Sequence, residues 1–321
     1  MTRAFTFPGQ GSQTVGMGRD LADAFPAARE VFEEVDDALG QPLSRLIWQG
    51  PDEKLTLTEN AQPALMAVSL AAMRVLETEG NFKLVEKAAF VAGHSLGEYS
   101  ALAAAGTFSL ADTARLLKIR GQAMQRAVPV GEGAMAALLG LDFEAAQQVA
   151  QEAVQEAVQA GEAGAVCQTA NDNAPGQIVI SGSRAAVERA AELAKAKGAK
   201  RAMLLPVSAP FHCALMQLAA DVMAEALAEV TVNAPCVPLV ANVTAARVSD
   251  PATIRQLLVD QVTGMVRWRE TVAYLASDGV DILIEVGAGK VLTGLAKRIN
   301  LDMTALAAGT PADIEAVLAI L

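Results

Sequence analysis

The chain has 321 residues, 52% of them hydrophobic and only 4% aromatic, with 25 basic against 36 acidic side chains and a net charge of −11. That length predicts about two domains with sizeable cores. The acidic balance argues against nucleic acid as a partner, because affinity for a phosphate backbone comes from clustered Lys and Arg. The mean hydropathy is positive, yet the longest uncharged run, Ala202–Ala220, carries Pro206, Ser208, Pro210, His212 and Gln217. A lipid-spanning helix would have to satisfy those groups, so no membrane span is expected. The N-terminal residues lack an apolar stretch of signal-peptide length. Cys167, Cys213 and Cys236 are scattered, without paired metal-ligand spacing. A cytoplasmic location with neither structural disulfides nor a metal site is the expectation.

In chain order, Arg3–Phe7 reads as a strand that runs into the loop Pro8-Gly9-Gln10-Gly11-Ser12-Gln13. Helical patterns begin at Pro26 and at Pro63, where proline suits a first turn, and stop at Gly40 and Gly80. Ala88–Ala92 is a short apolar run, Leu96–Ala105 has the composition of a buried helix, and Ser109-Leu110-Ala111-Asp112 reads as a capping box opening a helix to about Met124. Strands alternating with helices predict an α/β fold with a parallel-type sheet covered on both faces.

The middle of the chain has a different rhythm. Ala134–Leu141 reads as a strand, Phe143–Val158 as a helix, Ala165–Ala170 and Gln177–Ser181 as strands joined by a turn-rich loop over 171–176, Ala185–Ala196 as a helix and Ala202–Val207 as a strand. The order β-α-β-β-α-β is that of a ferredoxin-like unit. The expected organisation is a larger α/β domain over 1–131 and 207–321, with a small ferredoxin-like domain inserted at 132–206. The larger domain resumes with strands near Val237–Ala241 and Ile282–Val286.

Gly93-His94-Ser95-Leu96-Gly97 matches the nucleophile-elbow pattern in its required context, a strand before and a helix after. A sharp strand-to-helix turn crowds its flanks, which calls for glycine two residues either side of a projecting Ser95. The helix starting at Leu96 aims free N–H groups and its positive end at charge developing beside that hydroxyl. A serine nucleophile needs a base, and the chain has two histidines. His94 is adjacent to Ser95, where neighbouring side chains diverge, which leaves His212 by elimination. No histidine follows His212, so the Ser–acid–His order of the α/β-hydrolases is disfavoured. Asp221, Asp281, Glu285 or a main-chain carbonyl could orient the imidazole. A dyad without a buried carboxylate suits an activated acyl group such as a thioester better than an amide. Arg120 shares the apolar stripe of its helix with Leu116 and Met124. The residues alone leave it either as a clamp for a substrate carboxylate or as an arginine whose stem packs while its head reaches solvent. Gly9–Thr14 lacks the third glycine of a dinucleotide fingerprint, and Gly287–Val291 lacks the earlier glycine and the hydroxyl residue of a P-loop.

Taken together, these residues resemble the malonyl-CoA:acyl carrier protein transacylase family. The likeness runs from Phe5-Thr6-Phe7-Pro8-Gly9-Gln10-Gly11-Ser12-Gln13 to Glu285-Val286-Gly287-Ala288-Gly289-Lys290-Val291-Leu292. Between them it includes Gly93-His94-Ser95-Leu96-Gly97-Glu98-Tyr99, Arg120-Gly121, Pro175-Gly176-Gln177 and His212-Cys213-Ala214-Leu215-Met216. The resemblance implies that Ser95 is the acyl-accepting nucleophile and His212 its base. It implies that Gln10 and the backbone N–H of Leu96 form the oxyanion site, that Arg120 clamps the malonyl carboxylate, and that the main-chain carbonyl of Gln261 orients the histidine. The residues after Gln261 depart from the commonest pattern. Phe211 corresponds to a position where an aromatic residue accompanies malonyl selection in related polyketide transferases. The implied partners are malonyl-CoA and acyl carrier protein, with no metal or redox cofactor. Because acyl carrier proteins are generally acidic, docking would use a basic patch, with Lys118, Lys195–Arg201, Lys290 and Lys297-Arg298 as candidates.

Overall fold

In the computed structural model, which describes every residue except Ser208, strands and helices divide between two sheets. The first holds β1 (Arg3–Phe7), β2 (Phe90–Gly93), β7 (Leu239–Val240), β8 (Arg247–Val248), β9 (Ile282–Val286) and β10 (Thr304–Ala308), in the order β10-β9-β1-β2-β7-β8. The pairs from β10 through β7 are parallel, and β8 is an antiparallel edge. A parallel sheet covered on both faces needs strands apolar on both sides, which is why the central strands read as continuous apolar runs. Phe5 and Phe7 of β1 and Ile284 and Val286 of β9 are fully buried. The helix Thr58–Gly80 packs across this sheet and contributes the longest stretch of the main core.

The second sheet comprises β3 (Gly133–Leu139), β4 (Cys167–Ala174), β5 (Gln177–Ser183) and β6 (Arg201–Leu204), antiparallel in the order β4-β5-β3-β6. The helices Phe143–Gln159 and Arg184–Ala196 cover it through a core of small residues, among them Ala136, Ala146, Ala153, Ala190 and Ala194. The second sheet is tied to the segment leading into the helix Trp268–Ser277 at a point that matters for the site. Asn171 bridges Val266, with hydrogen bonds from Asp172 N–H to Val266 O (3.0 Å) and from Val266 N–H to Ala170 O (2.9 Å). Arg269 pairs with the buried carboxylate of Asp172 at 2.7 Å beside that bridge.

Two local expectations are corrected. The helix expected from Pro63 starts five residues earlier, at Thr58, with Pro63 inside its second turn. Proline lacks the N–H for the bond back to residue 59, so the helix forgoes one intrahelical bond there. The loop expected over 171–176 is largely strand. Asn171, Asp172 and Ala174 pair with β5, Asn173 is bulged out between them, and the turn shrinks to Pro175 and Gly176. Asx residues carry turn propensity, but here cross-strand pairing and burial of Asn171 and Asp172 override it. No helix among the described residues is long and apolar enough to cross a membrane.

Candidate active site

The turn between β2 and the helix Gly97–Ala104 projects Ser95 from a backbone with φ +53°. The flanking glycines follow from close approach. A Cβ on Gly93 would lie 1.9 Å from the carbonyl of Gly97, and one on Gly97 would lie 2.2 Å from Phe7 O. The strained turn is held by Asn242, which follows β7. Its side chain accepts from Ser95 N–H (2.8 Å) and donates to Gly93 O (2.6 Å).

Ser95 Oγ and His212 Nε2 are 2.8 Å apart. On the far side of the ring, Nδ1 faces two main-chain carbonyls, Gln261 O at 2.9 Å and Gly264 O at 3.1 Å. Carbonyls only accept, so Nδ1 carries the proton and Nε2 is left to accept from the serine hydroxyl. Of the groups considered as orienters, the carbonyl is the one in place. Glu285 instead caps the helix Val291–Ile299 through Leu292 N–H and Thr293 N–H, and Asp221 accepts from Gln217 on its own helix. Asp281 links Thr2 and Thr304 through its main chain. Burial and the nearby Arg120 guanidinium pull the His212 pKa down to about 3, so the imidazole is neutral. His94 turns away to bond Asn173 Oδ1 at 2.8 Å, and burial lowers its pKa as well.

Arg120 comes from the helix Leu110–Ala127 and is 1% exposed. It donates to Gln62 Oε1 (2.8 Å), Gln261 Oε1 (2.8 Å) and Ser95 Oγ (3.2 Å), and its guanidinium lies 5.7 Å from the ring centre of Tyr99. Every direct partner is neutral, which leaves the cation without a touching counter-charge at the nucleophile. Burial lowers its pKa from the usual arginine value. The solvent-reaching alternative for this side chain is corrected, because both the stem and the head are enclosed.

Gln261 works from both ends. Its carbonyl faces His212, while its side-chain amide donates to Ser95 O (2.9 Å) and to Glu98 Oε2 (2.9 Å) and accepts from Arg120. Glu98 is buried, also accepts from Asn242 N–H, and is pushed up to about 7 by desolvation against these bonds. Glu98, Asn242 and Gln62 had no assigned part in the sequence reading. Glu98 stands inside the elbow motif, and Asn242 is the polar residue that ends the apolar run Val237–Ala241.

These groups open into a cavity of about 420 Å³. Gln10, Ser95, Leu96, Arg120 and His212 line its polar end. Met135 of β3 and Asn171 of β4 also line it, so the second sheet supplies part of one wall. Met124 and Phe211 add apolar surface. The Gln10 side chain donates to Thr58 Oγ1 at 3.3 Å, which sets its position at the cavity edge. Among the described residues no cluster of His, Cys, Asp and Glu could hold a metal ion.

The profile of the acyl transferase domain family matches residues 4–301. The malonyl CoA-acyl carrier protein transacylase of Escherichia coli strain K12 is 49% identical over 98% of this chain and 98% of its own length. Among solved structures, the acyl-carrier-protein S-malonyltransferase of Bartonella henselae superposes with a TM-score of 0.95 at 60% identity, covering 100% of this chain and 99% of the other. A malonyl-transacylase solved in complex with its type II PKS acyl-carrier protein gives 0.94 at 44% identity over 100% of both chains. The chain belongs to the acyl transferase domain family, in the group of the malonyl CoA-acyl carrier protein transacylases.

Proposed function

We propose that the chain transfers a malonyl group from coenzyme A to the phosphopantetheine thiol of acyl carrier protein through a malonyl ester on Ser95, and that it supplies fatty acid synthesis. The observation that carries this reading is the meeting of three groups at one hydroxyl: Ser95 Oγ lies within hydrogen-bond reach of both the neutral His212 Nε2 and the Arg120 guanidinium. An uncharged base and a cation with neutral partners suit a substrate that brings its own carboxylate.

In the first half-reaction His212 Nε2 takes the Ser95 proton as Oγ attacks the thioester carbonyl carbon. The oxyanion is held by the Leu96 N–H at the start of the elbow helix together with Gln10. The C–S bond then breaks, and His212 returns the proton to the departing coenzyme A sulfur. In the second half-reaction His212 takes the proton of the carrier thiol, whose sulfur attacks the ester carbonyl. The C–O bond to Ser95 breaks and the serine recovers its proton. Arg120 holds the malonyl carboxylate throughout, and the Gln261 carbonyl keeps His212 in the tautomer that accepts at Nε2. No metal or redox cofactor enters this scheme, which contains only acyl and proton transfers.

The strand order β4-β5-β3-β6 with both helices on one face supports reading 132–206 as a ferredoxin-like domain inserted into a larger domain over 1–131 and 207–321. Of the basic candidates for carrier docking, Lys118 pairs with Glu59, Lys197 with Glu152 and Lys290 with Asp313. That leaves Lys195, Lys200–Arg201 and Lys297-Arg298 as candidates, with Arg201 opening β6 at the end opposite the cavity-lining Leu205. A cytoplasmic location is part of this proposal, supported by the substrates it names.

Turnover measured with phosphopantetheinylated carrier proteins from fatty acid synthesis and from malonate decarboxylation, each with malonyl-CoA as donor, tests the assignment. Preferential malonylation of the fatty acid carrier supports it. Preference for the other carrier overturns the pathway, and release of free malonate without transfer overturns the transferase reading.

A further inference from the structure

The buried carboxylate of Glu98 sits one residue into the elbow helix and touches neither Ser95, His212 nor Arg120 directly. It lies at the closed end of a relay. Glu98 Oε2 accepts from Gln261 Nε2 at 2.9 Å, and Gln261 Oε1 accepts from Arg120 at 2.8 Å. Above a pH of about 7 the carboxylate is ionised and can only accept, so it selects the Gln261 rotamer that turns the amide nitrogen inward and the amide oxygen toward the guanidinium. A buried cation also calls for compensation, and Arg120 has only neutral groups at hydrogen-bond distance. A carboxylate in direct contact would compensate it but would occupy the donors a substrate carboxylate needs. One amide of separation compensates the charge and leaves the donors available.

We propose that Glu98 is a positioning residue for substrate selection, holding Arg120 in its clamping pose through the Gln261 amide. This rests on the malonyl-clamp reading of Arg120. The same carboxylate accepts from Asn242 N–H (3.1 Å), whose side chain grips the elbow, so the clamp and the nucleophile share one anchor.

The test compares malonyl-CoA with acetyl-CoA, which has no carboxylate for Arg120, in the full-length protein with carrier as acceptor. Glu98→Gln keeps the shape but removes the charge and offers Gln261 both a donor and an acceptor. The expected result is a fall of about tenfold in the malonyl-over-acetyl ratio of kcat/KM, the scale of one charge-assisted hydrogen bond, carried mainly by KM for malonyl-CoA. Gln261→Met, which retains the main-chain carbonyl facing His212, should lower the ratio similarly. The double variant should fall no further, because both changes cut the same relay. Equal losses for both substrates, or an unchanged or raised ratio, would reduce Glu98 to a structural role and overturn the proposal. If Glu98→Gln does not fold, the ratio in Gln261→Met decides: an unchanged value overturns the relay. The wild-type ratio separates the two levels of inference. An enzyme without malonyl preference refutes the Arg120 clamp itself, whereas a preferring enzyme whose variants keep that preference refutes only the relay.

Discussion

Ser95 Oγ stands 2.8 Å from His212 Nε2, and the imidazole is backed by two main-chain carbonyls instead of a carboxylate. A carbonyl fixes the tautomer but does not supply the negative charge that would stabilise an imidazolium. With Arg120 close by, that imidazolium is further disfavoured, and the base stays neutral at a pH where an ordinary histidine would be half protonated.

The part of the acid limb that belongs to His212 should therefore be displaced. His212 titrates at about 3 in the folded protein against an ordinary 6.5, so kcat/KM for malonyl-CoA, which reports the free enzyme, should show no loss from His212 between about pH 5 and pH 8. Stability carries the opposite signature. The unfolded chain takes up a proton at this residue near 6.5 while the native state resists, so His212 makes the fold progressively less stable as pH falls from 6.5 toward 3. An NMR titration that placed the His212 imidazole near 6.5 in the folded protein would contradict the depressed value.

Replacing Arg120 separates charge recognition from chemistry. Arg120→Ala should weaken transition-state binding of malonyl-CoA by about 2–3 kcal/mol, roughly 30- to 150-fold in kcat/KM, and that of acetyl-CoA by less. Steady-state kinetics with both donors would show it. An unchanged malonyl-over-acetyl preference would mean that the guanidinium does not hold the substrate carboxylate.

The elbow depends on a partner distant in sequence. Asn242→Ala removes the acceptor for the half-buried Ser95 N–H and the donor to the buried Gly93 O. A loss of about 1–3 kcal/mol is expected in chemical denaturation, together with slower acylation of Ser95. Full stability in this variant would show that the turn holds itself.

Carrier binding should be salt-sensitive. A chain of net charge −11 meeting an acidic partner must rely on a local basic surface, and such attraction is screened within about 10 Å at 0.1 M salt. Raising the salt from low to moderate concentration should lower kcat/KM for the carrier severalfold through KM. A flat salt response would point to an apolar docking surface.

The fold and the reacting groups were legible to different degrees. Parallel strands buried on both faces announce themselves as apolar runs, so Arg3–Phe7 and Ile282–Val286 coincide with β1 and β9. The elbow was legible because its glycines are demanded by contacts of 2.2 Å or less. The second half of β4, expected as loop after the strand Ala165–Ala170, was not, since its Asn and Asp residues signal a turn locally and become strand only when β5 and Val266 are in place. Arg120 was ambiguous for a related reason. Its enclosure depends on Gln62 and Gln261, 58 and 141 residues away. Such long-range closure leaves no periodicity to read, and the same holds for Asn242 and Glu98.

The central claim is the covalent malonyl ester on Ser95, and intact-mass spectrometry after brief incubation with malonyl-CoA tests it most directly. The account predicts one added malonyl group per chain, located on Ser95 by peptide mapping, absent from Ser95→Ala and discharged when carrier protein is added. A folded protein that transfers malonyl without ever carrying it, or that carries it at another residue, would contradict the account.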